Sequence, residues 1–193
     1  MHRWRVVCLA FMVQFPFDEF YIFGEPWNSP NNARFASGKP MWKTRSDGTR
    51  YTLKFDADMD ICPDDRHSQP TLQTNCVAIT GPGTAFPKDS TTSFSDFTDG
   101  TGNTVLIAEI INSGIRWTEP RDLYIDDMSF VINDPSKPSI SSYHREGPAL
   151  VFADASVYRV SASIRPDVLK ALFTINGSEP IDRLQLINQG VLH

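Results

Sequence analysis

His144-Arg145-Glu146-Gly147-Pro148-Ala149-Leu150-Val151-Phe152-Ala153-Asp154-Ala155-Ser156 is the stretch around which this chain of 193 residues is read. Ala149 to Ala153 reads as a short strand centred on Leu150, Val151 and Phe152, and Val157 to Ser161 as a second strand. Asp154 and Ala155 lie between them, the length of a two-residue hairpin turn. Such a turn pairs Phe152 with Val157 and Val151 with Tyr158. Ala149, Val151, Tyr158 and Val160 then share one face, taken as the core side, while Arg159 lies on the other with Leu150 and Phe152. A type I′ turn wants positive φ at both centres, and the Cβ of Ala155 makes it a poor second residue.

Outside this hairpin the elements are short. Asn75 to Ile79 reads as a strand closed by Gly81-Pro82-Gly83, and Thr104 to Ile111 as a buried strand with Glu109 inside it. Glu109 reads as a partnered structural acid or a strand-end residue. Asp47-Gly48 is a turn signal, and Tyr51 to Phe55 alternates as a strand does. Phe15 to Phe23 reads as an amphipathic helix ending at Gly24. The Pro-containing stretch 117–123 is expected to be exposed and to lead into a helix near Leu123 to Phe130. Pro166 to Phe173 is a short helix, with Pro166 at its first position, Asp167 at its positive end, and Val168, Leu169, Leu172 and Phe173 buried. Short strands with turn signals and brief helical patterns predict an α+β fold with a mainly antiparallel β-sheet. The length suits a single domain over residues 1–193.

The formal net charge is −5, with charges of both signs scattered along the chain. No basic cluster points to nucleic acid. The apolar run Val6 to Val13 is too short to span a bilayer, and no small-residue cleavage site follows it. Cys62 and Cys76 could bridge in an oxidising compartment, but three buried or idle thiols, Cys8 included, is the simpler reading. Asp56, Asp58 and Asp60 place three carboxylates at alternate positions, which in a loop could converge on calcium. Ile61 and His67 stand where a calcium loop needs Gly and Glu, so a solvated acidic turn is preferred. No cofactor is expected, and no His/Cys spacing suits a transition metal.

Ser141, Ser142, His144 and Asp154 include the residue types of a nucleophilic triad. Five extended residues, about 16 Å of strand, put Asp154 far from His144, so this pair cannot act together. The expectation is therefore a chain that is not an enzyme. Asp154 would satisfy amides of its own turn, and His144 would pin the Pro-rich loop to the sheet. A ligand-binding module using Trp27, Trp42 and Trp117 is the alternative, and a hydrolase using His144 a third.

His144, Asp154 and Phe152-Ala153-Asp154 together resemble the signature of the prepilin-type processing-associated H-x9-D-G proteins, the domain of unknown function 1559 family. Ala155 departs from it, since the family has Gly there. Asp99-Gly-Thr-Gly-Asn-Thr-Val-Leu-Ile-Ala-Glu109, Trp117-Thr-Glu-Pro-Arg-Asp-Leu123, Thr80-Gly-Pro-Gly-Thr-Ala-Phe86, Cys62-Pro63 and Trp4-Arg5-Val6 are similar to further family segments. Cys76 stands where the family has an aromatic residue, which implies a core position. The resemblance implies a pilin-like head domain, here without the N-terminal leader and membrane helix. It also implies a structural or assembly role in the bacterial cell envelope, related to type II secretion or type IV pili, with other pilin-like or envelope proteins as partners.

Overall fold

In the computed structural model the described residues are 4–12, 20–37, 41–53, 61–66 and 71–193. The chain falls into two compact units, one of residues 1–74 and 114–121, the other of residues 75–113 and 122–193.

The first unit begins with α1 (Trp4–Met12). Val6, Tyr21, Phe35, Ile61 and Trp117 form its buried cluster. Arg5 is buried as well, and its guanidinium donates to the carbonyls of Trp117, Glu119 and Arg121 at 3.1, 2.9 and 2.7 Å. A buried guanidinium needs such acceptors to offset its lost hydration. These bonds fix the 117–121 segment, which was expected to be exposed; Trp117 and Thr118 are instead buried. The 20–37 loop is ordered from inside by Asn32, whose side chain accepts from the Ile22 amide and donates to the Ile22 and Pro26 carbonyls. Strands β1 (Met41–Thr44) and β2 (Arg50–Leu53) form an antiparallel hairpin whose turn contains Asp47-Gly48. The expected Phe15 to Phe23 helix and the Asp56, Asp58 and Asp60 loop lie wholly or largely outside the described residues.

The second unit is built on a five-stranded sheet of β3 (Cys76–Thr80), β4 (Val105–Glu109), β5 (Leu123–Tyr124), β6 (Ala149–Phe152) and β7 (Val157–Arg159), in the order β5-β3-β4-β6-β7. All neighbours are antiparallel except β3 and β5. The fold is thus mixed α and β, with short helices α2 (Pro166–Ala171) and α3 (Arg183–Asn188). The helix expected near Leu123 to Phe130 is absent. Leu123 and Ile125 alternate inward as a strand does, and Ile125 donates its amide to the Thr80 carbonyl at 2.8 Å. Leu169, Leu172 and Phe173 are fully buried at and just beyond α2. The tail from Val191 to His193 runs along β7, with paired backbone bonds between Arg159 and His193. That pairing covers what would otherwise be an open sheet edge.

The β6–β7 hairpin differs from expectation by one residue. Val151 faces Val157 and Leu150 faces Tyr158. Ala155 donates its amide to the Phe152 carbonyl, and Phe152 donates its own to the Ser156 carbonyl, both at 2.9 Å. The connection is therefore the three-residue loop Ala153-Asp154-Ala155, a turn closed by one left-handed residue. Ala155 is that residue, with φ of 66°. The slip exchanges the faces of β7, because side chains alternate with a period of two. Leu150, Phe152 and Val160 are fully buried, Tyr158 lies on their side, and Val157 faces outward at 60% exposure. The core side is thus the Leu150/Phe152 face, opposite to the one read from the sequence.

Two positions in this hairpin carry backbone constraints. Gly147 has φ of 93°, and a Cβ there would lie 2.0 Å from the Val160 carbonyl oxygen. Gly147→Ala should destabilise the fold by upwards of about 2 kcal/mol. Ala155→Gly should stabilise it by about 1 kcal/mol, less the entropy added to the unfolded chain. Denaturant melts of both variants check this; a clear loss of stability in Ala155→Gly would contradict the left-handed turn.

Candidate functional site

The motif residues His144 and Asp154 lie at the two ends of β6 and do not meet. At its start the organising group is the carboxylate of Glu109, the last residue of β4. Ser142 Oγ donates to Oε1 at 2.7 Å, and the Ala149 amide donates to Oε2 at 2.9 Å. Arg159 Nη1 stands 3.4 Å from Oε2 and donates to the Gly147 carbonyl at 2.8 Å. His144 Nε2 is 3.7 Å from Oε1, an ion-pair distance when the imidazole is protonated, and the His144 amide donates to Ser142 Oγ at 3.0 Å. Glu109 is buried, so these donors replace the water its charge would otherwise hold.

The local chain explains this convergence. The Ser141 amide bonds the Glu109 carbonyl and Ser141 Oγ accepts from the Ile111 amide, which aligns the 139–142 segment with the end of β4. Gly147 then turns the chain so that Pro148 can present its carbonyl to the Val160 amide. Ser142, His144 and Ala149 are thereby brought around one carboxylate.

Serine, glutamate and histidine together invite comparison with a nucleophilic triad. There the imidazole takes the hydroxyl proton and the acid orients the imidazole. Here the Ser142 proton points at the carboxylate, and Ser142 is 5% exposed. The hydroxyl is thus buried and bonded to the carboxylate rather than to the imidazole.

At the far end of β6, Asp154 accepts from the amide of Ser156 at 3.0 Å and from its hydroxyl. Arg183, the first residue of α3, places Nη1 2.8 Å from Asp154 Oδ2 and also donates to Ser156 Oγ. Its guanidinium lies over the rings of Phe152 and Tyr158, 5.2 and 5.4 Å from their centroids. The Arg183 amide donates to Asn103 Oδ1 at 3.1 Å. Asp154 thus ties the hairpin to the last helix. The Ser156 hydroxyl first, with the Ser156 amide and Arg183 adding to it, holds the Asp154 carboxyl below its usual range.

Of the three tryptophans considered for ligand contact, Trp117 fills the core of the first unit, Trp27 is half-buried, and Trp42 is exposed on β1 beneath the Arg50 guanidinium. Arg159 and Arg183 were not foreseen as partners of these acids. Nothing in their local sequence separates them from other surface arginines; the register of β7 and the placement of α3 decide their roles.

No family model matches the chain, and neither a curated protein nor a solved structure matches it.

Glu109→Ala should cost about 3 kcal/mol, since it leaves a buried hydroxyl and an amide without their acceptor and removes the charge partner of Arg159. Ser142→Ala should cost about 1 kcal/mol. Equilibrium unfolding of both variants provides the check. A depressed Asp154 carboxyl adds stability above its unfolded pKa, and that contribution is lost as pH falls through the lower folded value. Melts below about pH 4 should therefore show a loss of stability in the parent that is shallower in Asp154→Asn.

Proposed function

We propose that this chain is a non-enzymatic structural or assembly module of the bacterial cell envelope, a pseudopilin-like head domain of the kind associated with type II secretion or type IV pili. The observation that carries the non-enzymatic part is how His144 and Asp154 are used. His144 stands beside Glu109 and Asp154 pairs with Arg183, and the two ends of the H-x9-D spacing are separated by the length of β6. Contacts of this kind at both ends of β6 support a structural role for the motif. The resemblance of the surrounding segments to the prepilin-type processing-associated proteins supports the envelope assignment and pilin-like partners. Among the described residues no helix is long and apolar enough to cross a membrane.

The test is fractionation of the producing bacterium, with an antibody against the chain and in-cell cross-linking. The expected result is recovery in the envelope fraction with cross-links to pilin-like subunits. Recovery in the cytoplasmic fraction alone, without such cross-links, would overturn the reading.

A further inference from the structure

The second unit carries an open cleft of about 420 Å³, remote in sequence from both ends of β6. Thr91, Ser95, Asp96 and Asn176 supply polar walls, and Pro87 and Ile175 supply apolar surface. None of the described lining residues is a cation. Further hydroxyls line it from Thr84, Ser90, Thr92 and Thr98, and Thr84 and Thr92 already donate to backbone carbonyls, which fixes their positions.

Asp96 Oδ2 accepts from the Ser93 amide and hydroxyl at 2.7 and 3.0 Å, which leaves Oδ1 for another donor. Those bonds, the amide first, hold the carboxyl below its usual range, so it is an acceptor at neutral pH.

This chemistry excludes some ligands. A phosphate or carboxylate would meet Asp96 with no compensating cation. A calcium ion takes six to eight oxygen ligands and usually several carboxylates, and one carboxylate falls short of that. Groups that both donate and accept, arranged around one anionic acceptor and beside apolar surface, suit a neutral molecule whose own hydroxyls do both and whose C–H face is apolar. We propose that this cleft binds a neutral saccharide, with Asp96, Thr91 and Ser95 bonding its hydroxyls and Pro87 and Ile175 lying against its C–H face.

This proposal stands apart from the envelope assignment and is tested separately. An open cleft with few apolar contacts implies dissociation constants in the millimolar range. Amide chemical shifts of the chain are followed during titration with maltotriose, cellotriose and chitotriose. At least one should shift resonances confined to residues 84–98 and 175–176. The double variant Thr91→Ala/Ser95→Ala should weaken that sugar about fivefold, as loss of neutral hydrogen bonds implies. Thr91 and Ser95 are both exposed, so the fold is retained. No shift with any of the three sugars, shifts elsewhere on the chain, or binding unchanged in the double variant would overturn the proposal.

Discussion

The second unit depends on the Glu109 carboxylate having donors. A buried carboxylate without partners costs several kcal/mol, more than one strand pair returns. Glu109 solves this with groups from three places: Ser142 and His144 from the loop before β6, the amide of Ala149 that opens β6, and Arg159 from β7. The path of the 139–149 loop brings Ser142, His144 and Ala149 to that carboxylate, so satisfying the charge favours this loop conformation.

The same reasoning accounts for the hairpin. Its extra loop residue puts Ala155 in the left-handed region, where a Cβ is costly, yet the register it gives is kept. That register brings Tyr158 to the side of Phe152, where both rings flank Arg183, and it sends Arg159 to the side that reaches Glu109. A two-residue turn would have put Arg159 on the opposite face, away from Glu109. The strain at one alanine is offset by two charge contacts that need this pairing.

Much of this was legible in the residues, and the misses share a cause. The strands β3, β4, β6 and the start of β7, the Asp47-Gly48 turn and the α2 helix follow from apolar patterning and turn chemistry. Local pattern also gave Asp154 its role toward the turn amides and marked Glu109 as an acid needing partners. The register of β7 was misread because Asp154-Ala155 fits a two-residue turn locally; the third loop residue is chosen by the Arg159 and Tyr158 contacts, which are tertiary. Leu123 to Phe130 carries helix-compatible residues, and parallel pairing of Leu123 with Ile79 overrides that preference. Trp117 reads as surface beside Pro120, and only the distant Arg5 reveals why it is buried. The partnership of Asp154 with Arg183, 29 positions apart in sequence, leaves no local trace.

If the Glu109 carboxylate sets the loop path, the Ala149 amide should behave as part of the sheet core although its acceptor is a side chain. Native-state hydrogen exchange of that amide tests the account most directly. Protection comparable to that of Leu150 and Val151 is predicted, because the amide is released only when the whole unit opens. Exchange at the rate of the exposed loop amides, with Leu150 still protected, would contradict it.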